Sequence, residues 1–168
     1  MSWYVAQVLT GTERDVCREL ERAGLHAWVP AELRPIHRRG QWTEQEYLLI
    51  PSYVFVEMAY TVALFHTVKD VPGVIRLLGM DRGSPAPLPE EELARLGLLQ
   101  LGAGPVRPST VVFDAYGTPR IVDGPLADIP AGQIKLDRHA RRATVTLQVL
   151  GETKQARLGI RPIQEGGS

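Results

Sequence analysis

The stretch Ile50-Pro51-Ser52-Tyr53-Val54-Phe55-Val56-Glu57-Met58 constrains the fold more than any other part of the chain. Tyr53, Val54, Phe55 and Val56 all favour extended backbone, and a Pro-Ser start precedes them. Side chains alternate along a strand, so Tyr53, Phe55 and Glu57 share one face, and Val54, Val56 and Met58 share the other. The Val54 face is a core face. The Tyr53 face carries two large rings and ends in a charge. Two readings of it stand open: a contact surface for a partner, or rings covered by the helix over 12–23 or the hairpin over 31–49.

At 168 residues the chain holds one medium domain or two small ones. Apolar residues at 44% and charged residues at 23% are those of ordinary globular proteins, which sets aside disordered and fibrous classes. No run approaches the ~20 apolar residues of a membrane span. The start Met1-Ser2-Trp3-Tyr4 lacks a basic or apolar signal pattern, so a cytoplasmic protein without membrane association is expected. A single cysteine, Cys17, leaves no internal disulfide and no thiolate metal cluster. Net charge is zero but uneven. Residues 1–101 hold 10 Lys and Arg against 13 Asp and Glu, about −3, and residues 102–168 hold 9 against 6, about +3. The basic part is the better nucleic-acid candidate.

Trp3–Leu9 reads as a first strand. An amphipathic helix over Thr12–Ala23 follows, with Thr12 as N-cap, Asp15 as the capping-box acid, Val16, Leu20 and Ala23 as the apolar stripe, and Gly24 as the stop. Cys17 belongs beside that stripe as a small buried side chain. Leu25–Pro30 is a short strand, and residues 31–49 form a long hairpin with a basic tip, His37-Arg38-Arg39-Gly40. That tip is either a solvated turn or a contact to a nucleic-acid backbone. Thr61 caps a short helix with Leu64, Phe65 and Val68 inside, and Val74–Leu78 is the next strand. Pro89-Glu90-Glu91-Glu92 starts a third helix, proline suiting the first turn and the acids the positive end of the dipole.

The clearest linker runs from Gly102 to Ser109, rich in Gly and Pro. Beyond it Val111–Phe113, Arg120–Val122, Gln133–Leu136, Ala143–Val149 and Lys154–Leu158 are short strand-like runs separated by turn residues. The expected fold is therefore α+β. Residues 1–101 form a mixed, mostly antiparallel α/β sandwich, residues 102–112 a linker, and residues 113–165 a small five-stranded β barrel. Gly166-Gly167-Ser168 should fray.

Catalysis needs a constellation, and none assembles. There is no Gly-rich phosphate loop, no His-Glu-x-x-His and no Gly-x-Ser-x-Gly elbow. His26, His37, His66 and His139 fall in separate segments, without a second ligand at metal-binding spacing. No enzyme, metal or cofactor is expected. The strongest charged feature is Lys135-Leu136-Asp137-Arg138-His139-Ala140-Arg141-Arg142, a strand end and turn of the barrel. Lys135, Arg138, Arg141 and Arg142 can each neutralise a phosphate, and His139 can hydrogen-bond or stack. An ordinary solvated turn is the competing reading.

The order of these pieces resembles the NusG family of transcription elongation factors. Trp3-Tyr4-Val5 is similar to that family's opening strand. Pro51-Ser52-Tyr53-Val54-Phe55-Val56 is similar to its Pro-Gly-Tyr-Val-hydrophobic-Val strand, with Ser52 in place of Gly. Val71-Pro72-Gly73-Val74 and Leu77-Leu78-Gly79 are similar to its next helix end and strand. Val122-Asp123-Gly124-Pro125-Leu126, Gly132-Gln133-Ile134 and the strand through Val145–Val149 resemble the KOW motif. The resemblance covers nearly the whole chain.

It implies a monomeric, non-catalytic factor whose N-terminal domain docks on the clamp helices of RNA polymerase and suppresses pausing. By position, Ile50, Pro51, Tyr53 and Phe55 are the contact residues, and His66 and Thr67 meet the opposite side of the cleft. The basic run in the barrel is similar to the specialised LoaP-type paralogues, which implies processive antitermination with the KOW domain on a leader-RNA hairpin. Non-template DNA is a further candidate partner. One alternative is a general factor whose KOW domain meets a ribosomal protein or Rho. Another is a ribosome-associated KOW RNA-binding protein. A related protein, RfaH, hides its polymerase contact under a KOW domain refolded as helices. The Val, Ile and Thr content of the segment here favours strands instead.

Overall fold

The computed structural model describes residues 1–97, Leu99 and 104–166. The expected boundary at Leu101, the linker residues Gly102 and Ala103, and the terminal Gly167 and Ser168 lie outside the described residues. Strands β1 (Ser2–Val8), β2 (His26–Trp28), β5 (Tyr53–Met58) and β6 (Val74–Leu77) form an antiparallel sheet in the order β2-β5-β1-β6. β5 is thus a central strand. Its partner register sets Phe55 against Val5 on one side and against Trp28 on the other.

Helices α1 (Glu13–Arg22) and α2 (Val62–Lys69) cover one face of this sheet. Val16 and Leu20 of α1 and Phe65 and Val68 of α2 join Tyr4, Ala6, Val8, Val54, Val56 and Met58 in one buried cluster. This is the expected core face. The α2 cap is as expected, the Thr61 hydroxyl accepting from the Leu64 N–H at 3.1 Å. The α1 cap is not. The Thr12 hydroxyl donates backwards to the Leu9 carbonyl at 2.6 Å, and Asp15 pairs with Arg18 instead of closing a capping box. Glu13 takes over the loop. One of its carboxylate oxygens accepts from Gly11 N–H at 2.7 Å and the other from Ser52 N–H at 2.9 Å.

Ser52 occupies left-handed backbone, φ 74°, which glycine adopts more readily and which accounts for the expected Gly at this place. Gly73 is held to glycine twice over. Its φ is +101°, and an added Cβ would lie 2.8 Å from Thr12 Oγ1.

Strands β3 (Ala31–Arg38) and β4 (Gln41–Leu48) form the long hairpin, closed by Arg39-Gly40 with φ of 51° and 75°. Positive φ at both central residues is what a two-residue turn matched to strand twist requires. α3 spans Glu90–Gly97.

The second half is a curled five-stranded half-barrel of order β8-β7-β11-β10-β9. Its strands are β7 (Ser109–Phe113), β8 (Pro119–Asp123), β9 (Ile134–Asp137), β10 (Arg142–Val149) and β11 (Glu152–Gln164). β7 begins at Ser109, inside the range expected for the linker, and pairs in parallel with β11. β11 runs on past Leu158 to Gln164, longer than the sequence pattern predicts, because its second half serves β7. The regular elements of this half are strands joined by turns and two short 3-10 stretches, Pro125–Asp128 and Ala131–Gln133, in line with its local preferences.

Candidate macromolecule-binding surfaces

The face of β5 opposite α1 is built from Tyr53 and Phe55, with Trp3 and Val5 from β1 and Trp28 from β2 beside them. The rings interlock: Trp28 and Phe55 centroids are 5.3 Å apart, and Trp3 meets Trp28 edge-on at 6.4 Å. An isolated sheet would leave this aromatic face to water. It is buried instead, with Tyr53 at 7% and Phe55 at 0% exposure. The cover is neither α1 nor the hairpin, the two elements the sequence suggests. α1 lies on the other face, and the hairpin meets Val106 and Gly159 instead.

The half-barrel and α3 are the cover. One connected buried cluster runs from Trp3, Trp28, Ile50, Tyr53 and Phe55 through Leu96 and Leu99 into Val145, Leu147 and Val149 of β10.

Polar groups tie the two halves around this apolar centre. The Lys154 ammonium on β11 donates to the Tyr53 hydroxyl at 2.6 Å. Glu152 lies 3.6 Å from Lys154 and 3.7 Å from Arg76 of the first half. Glu92 of α3 accepts from the Leu150 N–H, and Arg95 donates to the Gln133 side chain at 2.6 Å. The acids that start α3 therefore serve the interface as well as the helix dipole.

On the far side, Glu32 of β3 is wholly buried. Both its carboxylate oxygens accept from the Gly159 N–H of β11, each at 2.8 Å, and Arg34 pairs with it. Arg34 also donates to the Arg157 carbonyl at 2.8 Å. Val106 adds a short parallel bridge to β3, donating to Ala31 and accepting from Leu33. No buried side-chain N or O among the described residues lacks a partner.

The sequence-predicted contact residues thus divide. Ile50, Tyr53 and Phe55 are brought together but covered, and Pro51 beside them is exposed. His66 and Thr67 sit on the outer side of α2, both exposed, with His66 stacked edge-on against Phe65 at 5.4 Å.

The basic turn also divides. Lys135, Arg138 and His139 are exposed. Arg138 lies over the Phe113 ring at 4.6 Å and donates to the Gln164 side chain at 2.7 Å. Arg141 and Arg142 instead face a cleft between the half-barrel and the hairpin. Asp137 does not pair with an arginine here; its carboxylate accepts from Ala140 N–H at 3.0 Å and shapes the turn.

Cys17 lies half-buried, its thiol pushed up to about 11 by burial first and then by Glu21. No group of three or more His, Cys, Asp or Glu among the described residues is placed to hold a metal ion. No helix among them is long and apolar enough to cross a membrane.

The NusG family profile, described as "Transcription termination factor nusG", matches residues 1–97. This chain belongs to the NusG family. It is 31% identical to the transcription termination/antitermination protein NusG of Yersinia pestis, over 98% of this chain and 96% of that protein. It is 30% identical to the NusG of Escherichia coli strain K12, over 97% and 95% respectively. Among solved structures it is similar to one described as "Domain interaction in Thermotoga maritima NusG", with a TM-score of 0.57, 21% identity, and coverage of 95% of this chain and 93% of that one. The last likeness supports the fold. The relatives are full-length matches, so both halves of this NusG-type transcription termination/antitermination factor have counterparts in them.

Proposed function

We propose that this chain is a transcription elongation factor that binds RNA polymerase through the aromatic face of β5 and promotes processive antitermination, its KOW barrel contacting leader RNA. What carries the reading is the end-to-end match to NusG termination/antitermination proteins. Residues 1–101 form the polymerase-binding half and residues 113–165 the KOW half. Ile50, Pro51, Tyr53 and Phe55 take a polymerase clamp helix, and His66 and Thr67 meet the opposite side of the cleft. Lys135, Arg138, His139, Arg141 and Arg142 contact RNA. The factor works in the cytoplasm as a monomer without catalysis of its own.

With the two halves closed on each other, the barrel occupies the polymerase site. Binding therefore requires the two halves to separate, and polymerase supplies the apolar surface that the barrel gives up. The interface is suited to this, since much of its rim is polar and tolerates water once opened.

A second reading has its own support. The relatives at 30–31% identity carry the general name NusG. A general factor whose barrel meets a ribosomal protein or Rho fits that name. The test is in vitro transcription with purified polymerase, with and without candidate leader RNA, scored for terminator read-through. Read-through that depends on the RNA supports the specialised reading. Read-through indifferent to RNA, with capture of a ribosomal protein by the full chain, supports the general one.

A further inference from the structure

A cleft of about 520 Å³ separates the β3–β4 hairpin from the half-barrel, within the ~300–1,000 Å³ of ordinary ligand sites. Five arginines line it, in a chain of zero net charge: Arg34 from the hairpin, Arg107 from the connecting segment, and Arg141, Arg142 and Arg161 from the barrel. Two carboxylates answer them: Glu44 in the lining holds Arg107, and the buried Glu32 behind it holds Arg34, while Arg141, Arg142 and Arg161 have no acidic partner among the described residues. Arg142 is pulled below its ordinary value by burial and then by the neighbouring Arg34 charge, a crowding that a bound anion would relieve.

The cleft also presents an aromatic ring. Trp42 is 72% exposed on its edge, with its cross-strand partner His37 tilted beside it at 5.0 Å, and the indole joins neither buried cluster of the fold. An exposed indole among arginines is the pairing that stacks a base and holds its phosphates.

We infer, extending the RNA reading proposed above, that this cleft takes a short single-stranded stretch of the transcript, and that filling it holds the two halves closed. The second part follows from where the walls come from. Arg34 and Trp42 belong to the first half, and Arg141, Arg142 and Arg161 to the second, so the complete site exists only in the closed arrangement. A ligand that touches both walls binds that arrangement more tightly and shifts the population towards it. A transcript stretch in the cleft therefore holds the factor closed before it loads, polymerase on β5 releases it, and the leader RNA of the antitermination reading meets the barrel only after opening.

The test uses the full chain and a labelled single-stranded RNA of roughly 12 nucleotides, within the usual site sizes. A DNA of matching sequence and a free mononucleotide serve as comparison arms. Affinity is read by anisotropy across a salt series, and closure by hydrogen exchange at the Gly159 amide. Trp42→Ala should weaken RNA binding about tenfold. Arg107→Gln with Arg161→Gln should flatten the salt slope by roughly 1.4, at ~0.7 for each phosphate no longer neutralised. Bound RNA should slow exchange at Gly159.

If these cleft variants bind like wild type while Lys135→Gln with Arg138→Gln loses affinity, the cleft is wrong and the barrel-turn reading stands. Wild-type protein that binds no RNA sinks both. A mononucleotide held as tightly as the oligonucleotide, or DNA alone bound, removes the transcript as ligand. Unchanged or faster exchange at Gly159 with RNA bound removes the link to closure.

Discussion

The Lys154 ammonium donates to the Tyr53 hydroxyl at 2.6 Å and stands 4.2 Å from the centre of the same ring. One cation from the half-barrel thus uses both the polar tip and the face of the aromatic residue at the centre of the candidate polymerase contact. The pair is partly buried, so solvent screens it less than a surface pair. Tyr53→Phe removes the hydroxyl, and Lys154→Ala removes both interactions. A double-mutant cycle by urea unfolding should give a coupling energy of about 1.5 kcal/mol, at the low end for a hydrogen bond to a charged group, since the ring contact survives in Tyr53→Phe and drops out of the cycle. A coupling near zero would mean that the two residues are only neighbours. Lys154→Ala should also bind polymerase more tightly, because it destabilises only the closed form.

Glu32 holds the opposite edge. Its carboxylate is fully buried, accepts the Gly159 N–H and balances Arg34, whose side chain is largely buried too. Glu32→Ala leaves Arg34 without its counter-charge and the Gly159 amide without an acceptor. Breaking a buried pair in this way costs about 3–5 kcal/mol. Exchange of the Gly159 amide should speed up by at least about a hundredfold, reporting local opening. Glu32→Gln keeps an acceptor for the amide and should show a smaller effect. Equal exchange in wild type and Glu32→Ala would show that Gly159 owes its protection to the sheet alone.

The contrast between these two ties and the elements they join shows what a sequence carries. Strands such as Tyr53–Met58 and Ala143–Val149 are legible because alternation and β preference act within a few residues. The α1 stripe of Val16 and Leu20 is legible for the same reason. The Thr12 cap is not, because its hydroxyl turns back to the Leu9 carbonyl, and Glu13 gathers the N–H groups of Gly11 and the distant Ser52. Glu32 looks like one more acid on a hairpin arm, and Lys154 like the first residue of one more strand run. Their partners Gly159 and Tyr53 are 127 and 101 residues away, and no local pattern encodes such pairings. The aromatic content of the Tyr53 face states that something covers it, but not which element. Of the cleft, Arg141 and Arg142 stand out as part of a charge run. Arg34, Arg107 and Arg161 do not, being dispersed along the chain, and Trp42 is readable only as a residue of the hairpin's return arm.

Gly124 in the Val-Asp-Gly-Pro turn should tolerate no side chain. Its φ is +100°, and an added Cβ would lie 2.5 Å from both Cα and Oγ of Ser109. Ser109 cannot withdraw, since it is fully buried and its hydroxyl accepts the Leu126 N–H at 3.0 Å. Gly124→Ala should lower stability by roughly 2–4 kcal/mol, combining backbone strain with overpacking. Gly132→Ala is the control, because nothing lies within 4 Å of its added Cβ and its φ is not in the left-handed region. It should melt within about 2 °C of wild type, as surface substitutions usually do. Similar losses at both positions would show that the barrel is sensitive to any side chain at its turns, not to this close approach.

Cys17 gives a prediction in pH. Its thiol titrates near 11 in the folded chain, raised from 9.0 by burial and by the Glu21 carboxylate, which also accepts its S–H. At pH 8 the thiolate is therefore rarer than in an unfolded chain, and alkylation by iodoacetamide should run up to about a hundredfold slower than in denaturant. Glu21→Gln removes the carboxylate charge beside the thiol and should speed the folded-state reaction, although burial keeps it below the denatured rate. The folded state holds its proton more tightly than the unfolded state. The contribution of Cys17 to stability is thus complete below about pH 9 and is lost as pH rises towards 11. Cys17→Ala should flatten that part of the stability curve and offset the neutral range by a constant amount, leaving its slope with pH unchanged. Alkylation equally fast in folded and denatured protein at pH 8 would place the thiol in water, outside the environment of Glu21.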